Sequence, residues 1–208
     1  MNFTAPPAPS TRQLILGSTS RYRRELLERL SIPFQVAAPD VDETPLPHEA
    51  PRVLAERLAL AKAKAVAAQF PQAVVIGSDQ VADLNGQSLG KPGTHDKAVT
   101  QLRLMRGQTV VFQTAVAVVC VESGFEQRSL AAVRVKFRDL TDEEIENYLQ
   151  LEKPYDCAGS AKSEGLGIAL LASIDSDDPT ALIGLPLIRT CQMLRAAGIE
   201  LLSSKAVS

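Results

Sequence analysis

The chain is 208 residues long and 45% hydrophobic, and its 22 Lys and Arg nearly cancel its 24 Asp and Glu, for a formal charge of -2. A chain of that length buries about 70% of the surface its unfolded form exposes, enough for one full core or one bilobed domain, and balanced charge leaves no global field to hold long nucleic acid. No apolar run approaches the roughly 18 to 20 residues of a membrane span and the start lacks a secretory pattern, so a cytoplasmic location is expected. Cys120, Cys157 and Cys191 are widely spaced, with no C-x-x-C pair, and read as reduced thiols. His48 and His95 both sit in polar stretches, which argues against histidine metal sites and Ser-His-Asp catalysis.

Residues 1–11 carry three prolines and little to bury, so they are expected to form a flexible tail before a single bilobed domain over 12–202, with a second tail at 203–208. Leu14-Ile15-Leu16 reads as a strand that breaks at Gly17-Ser18-Thr19-Ser20, and Leu26, Leu27 and Leu30 follow at helical spacing. A second strand is predicted around Phe34 to Ala37, then an acidic, Pro-rich surface loop from Pro39 to Pro45. Residues 51–69 are the strongest helix, with Pro51 in the first turn and Leu54, Leu58, Ala61 and Ala65 on one stripe. Val74-Val75-Ile76 is predicted to be a buried strand ending at Gly77-Ser78-Asp79-Gln80, and Asn85-Gly86 a hairpin turn. A helix from about Thr94 to Met105 precedes two β-rich stretches, 108–121 and 127–138, that flank Ser123-Gly124 as a hairpin. Thr141 to Glu144 is a capping box opening a helix to about Leu149, and a last helix follows Pro186 and stops before Gly198. This order predicts an α/β fold bordering on α+β, around a mixed, twisted sheet, with two lobes and a cleft.

Two loops at strand ends carry unusual chemistry, where ligands of sheet-helix folds collect. At Gly17 to Arg24, free N–H groups of a helix start meet three hydroxyls and three guanidiniums, an anion site in outline, although a Ser cap followed by solvated arginines gives the same pattern. Asp79, in the Gly77 to Gln80 stretch, could bind a divalent ion or take a proton from water, or could close an Asx turn. Asp40, Asp42 and Glu43 read as a solvated run. Lys62 stands about 80° from Leu54 and 40° from Leu58 around its helix, on the edge of the buried stripe, where it could reach a cleft or snorkel. Lys64 and Arg57 share a more exposed side, and Lys91 sits in the restricted loop Gly90-Lys91-Pro92. Concentrated cations repel one another, so Lys62 is expected to matter more to activity than to stability. The inventory is that of polyphosphate chemistry, with no P-loop, no G-x-G-x-x-G and no covalent nucleophile beside a base.

The chain resembles the Maf family of nucleotide pyrophosphatases. The resemblance rests on Leu16 to Ser20 with Arg23-Arg24, Val41-Asp42-Glu43, Arg57-Leu58-Ala59 with Lys62-Ala63, Ile76 to Gln80, Gly90-Lys91-Pro92 and Gly184 to Leu187, in family order over about residues 13 to 197. It implies a bilobed fold similar to that of inosine triphosphate pyrophosphatases, often dimeric, that cuts a nucleoside triphosphate to monophosphate and pyrophosphate. Carried over, Ser18, Arg23, Arg24, Lys62 and Lys91 would grip the triphosphate. Glu43 and Asp79 would hold a divalent cation (Mg, Mn or Co), and Asp79 would activate water. The segment from Cys157 to Gly165, with Ser20-Arg21-Tyr22, resembles the branch acting on 7-methyl-GTP more than the branch acting on dTTP and UTP. In that branch Tyr22, Gln80 and Glu164 would recognise the base: Tyr22 by stacking, Glu164 by accepting from the ring N–H and exocyclic amine, and Gln80 through its amide. The partner is then a small nucleotide rather than long nucleic acid or a membrane. A nucleotide-binding regulator of septum formation without turnover is the other reading, and the unpaired carboxylate expected at Asp79, which would repel bound phosphates, argues against it.

Overall fold

The computed structural model describes residues 12–202; the two expected tails, 1–11 and 203–208, lie outside the described residues. Strand β1 (Leu14–Gly17) leads through helix α1 (Arg21–Glu28) to β2 (Gln35–Ala37), and α2 (Pro51–Gln69) returns the chain to β3 (Val74–Leu84). Both connections are parallel crossovers, with β2 on one side of β1 and β3 on the other. The Asn85-Gly86 turn has both residues at positive φ, which the two-residue hairpin requires, and folds β4 (Gln87–Leu89) back on β3. After α3 (His95–Met105), β5 (Thr109–Cys120) and β6 (Phe125–Phe137) form the long predicted hairpin. Helix α4 (Asp142–Glu152) opens with the expected Thr141–Glu144 capping box, and α5 (Leu187–Ala196) closes the described fold. The result is one mixed seven-stranded sheet in the order β2-β1-β3-β5-β6-β7, with β4 beside β3, and an α/β architecture as expected.

Two strands differ from expectation. β3 does not stop at Gly77 but runs to Leu84, because β5 offers antiparallel partners from Val75–Val119 through to Asp83–Val111. The Gly-Ser-Asp-Gln stretch therefore lies inside a strand rather than in a loop. β7 (Leu171–Asp175), exposed along most of its length, was not foreseen and joins the far edge of β6.

Three apolar clusters hold the sheet. α2 covers one face of its parallel half with Leu54, Ala55, Leu58, Ala59, Ala63 and Val66. α1 and α5 cover the other face through Leu26, Leu27, Leu187 and Leu194. Ala98, Leu102, Ile145 and Leu149, on α3 and α4, pack with Phe112, Val133 and Val135 against the antiparallel half. No helix among the described residues is long and apolar enough to cross a membrane.

Candidate active site

Alternation along β3 turns Ser78 and Gln80 to one face and Asp79 to the other, where α2 lies. A Cβ at Gly77 would stand 2.3 Å from the Ala59 carbonyl oxygen and 2.5 Å from the Ala63 nitrogen, so the α2 backbone rests almost directly on β3. That approach brings Lys62 against Asp79. Lys62 Nζ lies 2.6 Å from Asp79 Oδ1 and 2.8 Å from Glu43 Oε1, with the Lys62 and Asp79 side chains only 6% and 10% exposed and Glu43 58% exposed. Lys62 is thus not a snorkelling edge residue. The buried face of α2 runs through Ala55, Ala59, Lys62, Ala63 and Val66, while Ala61 and Ala65, assigned to the stripe from sequence, are only half-buried. The argument from cation repulsion also fails here, because Lys62 neutralises two carboxylates.

Glu43, read as part of a solvated run, reaches Lys62 because its loop is clamped to α2. Arg57 holds Glu49 by two bonds, at 2.6 and 2.8 Å, and donates to the Thr44 carbonyl. Arg57 therefore serves the loop rather than solvent. Burial would raise the Glu43 carboxyl, but the bond and charge of Lys62, with Lys91 and Arg23 beyond it, outweigh burial and hold it below its ordinary value.

The loop after β1 supplies the opposite wall. Ser18 is buried and its Oγ accepts from the Ser20 N–H at 3.2 Å and from Arg23 Nη1 at 3.3 Å, while Ser20 caps α1. Arg23 Nε donates to the Gly184 carbonyl at 2.9 Å, an oxygen that also accepts from the Ser78 hydroxyl. Burial lowers the Arg23 pKa, and Asp79 and Glu43 oppose that fall. Lys91 lines the same cleft, exposed and without an ion-pair partner among the described residues. Arg24 does not join it. Arg24 faces the outer surface, where its Nε pairs with Glu28 at 2.9 Å in a separate groove with Ile32 and Phe34.

Tyr22, Gln80 and Glu164 line the cleft as well. The Arg21 guanidinium lies 4.7 Å from the Tyr22 ring centroid and donates to its hydroxyl at 2.7 Å. Gln80 Nε2 donates to Thr114 Oγ1 and to the Ala181 and Leu182 carbonyls at 2.9, 2.9 and 3.0 Å, so its two amide hydrogens are committed to the protein and only Oε1 is left for a ligand. Glu164 has no side-chain partner among the described residues, and burial raises its carboxyl above the ordinary value, with Glu152 and Glu25 adding to the rise. Arg21, Asp156 and Cys157 share this end of the cleft; Arg21 and Cys157 entered the sequence reading only within the segments quoted above, and Asp156 was not singled out. Asp156 directly precedes the Cys157 to Gly165 segment, the only signal that pointed to it.

The cleft has a volume of about 680 Å³, within the range of small-molecule sites. No group of three or more His, Cys, Asp or Glu able to hold a metal occurs among the described residues. Asp79 and Glu43 nevertheless fit a hard divalent cation. Each has one oxygen on Lys62 and one that accepts from no described residue, and a magnesium-like ion commonly takes one or two carboxylates and fills its shell with phosphate and water oxygens.

A cationic wall facing two carboxylates, set beside the end of β1 and along β3, has the charge arrangement that a metal-bound polyphosphate would need. The chain belongs to the Maf-like protein family, whose model matches residues 13–197. It is 78% identical over 197 residues to the 7-methyl-GTP pyrophosphatase of Polaromonas sp., covering 95% of this chain and 90% of that one. It is also 70% identical over 196 residues to the 7-methyl-GTP pyrophosphatase of Albidiferax ferrireducens, with 94% and 98% covered. Against that of Cupriavidus pinatubonensis it is 58% identical over 196 residues, with 94% and 97% covered.

Proposed function

We propose that this chain hydrolyses 7-methyl-GTP to 7-methyl-GMP and pyrophosphate, by attack of water on the α-phosphorus. The observation that carries the reading is the division of one cleft into a cationic end, with Arg23, Lys62 and Lys91, and an end with Tyr22 and an unpartnered Glu164. The names of the relatives at 78% and 70% identity support it.

In this reading, Asp79 accepts the proton of the attacking water through the oxygen that Lys62 leaves free, so a metal held by Asp79 as well would have to share Oδ1 with Lys62 or displace it. Lys62 spends two of its three N–H donors on Asp79 and Glu43, and the third is free for a phosphate oxygen. Arg23, fixed by Ser18 and Gly184, and Lys91 meet the charge that grows on the departing pyrophosphate. Asp79 and Glu43 would hold Mg, Mn or Co, which would supply charge neutralisation at the phosphates. Glu164 accepts from the base edge, and Tyr22 offers a stacking face. The same reading takes residues 12–202 as one catalytic domain working in the cytoplasm, with a homodimer as an assembly that the family resemblance allows. The unpaired carboxylate expected at Asp79 is not found, because Lys62 pairs with it, so repulsion of bound phosphates no longer argues against a regulator without turnover; the names of the relatives favour the enzyme.

The test is a panel of 7-methyl-GTP, GTP, dTTP and UTP with magnesium or manganese, scored for pyrophosphate. The expected result is pyrophosphate release with 7-methyl-GTP as the best substrate. Release of a single γ-phosphate rejects the reaction, and equal kcat/KM for methylated and plain GTP rejects the base assignment.

A further inference from the structure

Glu164 is not the only carboxylate at the base end of the cleft. Asp156 lines it too, on the turn between α4 and the 3-10 turn Ala158–Ser160. Its Oδ1 accepts from the Tyr22 hydroxyl at 3.4 Å and lies 3.6 Å from Cys157 Sγ, while Oδ2 has no partner among the described residues. Neither Asp156 nor Glu164 forms an ion pair among the described residues, although Arg21 and Lys162 lie nearby. Arg21 spends its guanidinium on the Tyr22 ring and hydroxyl, and Lys162 pairs with Glu152. Burial pushes the Cys157 thiol up to about 12, and Asp156 and Glu164 both add to that rise, so the two carboxylates flank one thiol.

Asp156 and Glu164 are both exposed at the cleft, so water solvates them while the site is empty, and their charge acts mainly on what enters: it repels a triphosphate and attracts a cation. They favour a ligand that brings positive charge to this end. The Tyr22 corner already holds one planar, delocalised cation, the Arg21 guanidinium, stacked on its ring. A purine alkylated at N7 carries a cation of the same kind, planar and delocalised over the imidazole ring.

We propose that Asp156 is a further specificity residue, which together with Glu164 recognises the positive charge of an N7-alkylated purine. This rests on the proposed pyrophosphatase reading. Glu164 meets the donors of the base edge, while Asp156, beside Tyr22, acts on the charge itself. Discrimination then arises from two carboxylates of distinct role, and the neutral purine gains nothing from the second.

The test is Asp156→Asn, which keeps an oxygen for Tyr22 and Cys157, with Asp156→Ser as a second variant, each checked for an unchanged Tm. The kcat/KM ratio of 7-methyl-GTP to GTP should fall about tenfold, the size of one charge-assisted contact, through a higher KM for the methylated substrate alone. Calorimetry should show the same loss for 7-methyl-GMP, and added salt should lower the ratio of the unaltered protein more than that of the variant. An unchanged ratio, or an equal loss on both substrates, overturns the role of Asp156. An unaltered protein that cleaves both substrates equally fails the pyrophosphatase base assignment instead, and is seen before any variant is made.

Discussion

Lys62→Met keeps an unbranched side chain of nearly the same length and removes the charge, so it isolates what the ammonium does. It leaves Asp79, whose side chain is 10% exposed, without the only side chain bonded to it among the described residues. Breaking a buried pair from one side costs about 3 to 5 kcal/mol. Asp79 opens on a wet cleft and Arg23 remains nearby, so roughly 2 to 3 kcal/mol is the reasonable figure. Glu43, 58% exposed, recovers water and adds at most about 1 kcal/mol. At the m-values usual for urea, this moves the unfolding midpoint down by about 1 M. The assay is equilibrium urea unfolding of the unaltered protein, Lys62→Met, Asp79→Asn and the double variant. Once Asp79 is an amide, loss of Lys62 should cost much less, with a coupling of about 1 to 3 kcal/mol. A Lys62→Met protein with an unchanged midpoint, or a double variant with no coupling, refutes the reasoning.

Asp79→Asn should fold and bind nucleotide yet lower kcat by a factor of about 100 or more, as for a lost general base; near-normal pyrophosphate release would remove Asp79 from the mechanism. Glu164→Gln should erode the preference for 7-methyl-GTP over GTP by about 1 to 3 kcal/mol in kcat/KM. Because burial raises the Glu164 carboxyl, the preference of the unaltered protein should decline on the acid side at a pH above the usual carboxylate range, as protonation removes the charge that accepts from the base; a profile identical in Glu164→Gln would contradict this. Gly77→Ala should lower stability by about 1 to 3 kcal/mol or more, since its Cβ would meet backbone of α2 at 2.3 and 2.5 Å and no side chain can rotate away; an unchanged Tm would mean that α2 does not rest on β3 as described.

Much of the fold was legible because its signals are local. The capping box at Thr141, the Asn85-Gly86 turn and the apolar runs of β5 and β6 each carry their reason within a few residues. The reach of β3 was not, since Gly-Ser-Asp-Gln reads as turn punctuation and only the distant β5 makes it strand. In the site, Ser18, Arg23, Lys62, Lys91, Glu43 and Asp79 were all identified from sequence as a group, and the fold brings all six to one cleft. Arg24 lies apart from them, paired with Glu28, a placement set by which face of α1 packs on the sheet. The Glu43–Lys62 contact was not legible, because it depends on the Arg57–Glu49 clamp that holds an irregular loop to α2. The orientation of the Gln80 amide was not legible for a similar reason: its partners, at Ala181 and Leu182, are about a hundred residues away in sequence.

The place of the site follows from the strand order. β1 sends its first crossover to β2 on one side, and the chain then crosses to β3 on the other, with α1 and α2 on opposite faces. Where the order reverses, the connections part and leave a crevice beyond the ends of parallel strands, and Ser18 lies there, just past β1. β3 departs from that pattern, because it does not end at the crevice but passes along it and carries Asp79 in mid-strand, paired with Ala115 on β5. A carboxylate held by ladder bonds on a central strand, and by Lys62 from a helix packed on Gly77, has few ways to move. Glu43, on an exposed loop tied down at Glu49 and Thr44, has more freedom. The two carboxylates of the proposed metal site are thus held with unequal rigidity. In the proposed reaction the fixed one would take a proton at a set distance, and the looser one would let a ligand shell adjust as a triphosphate enters and pyrophosphate leaves.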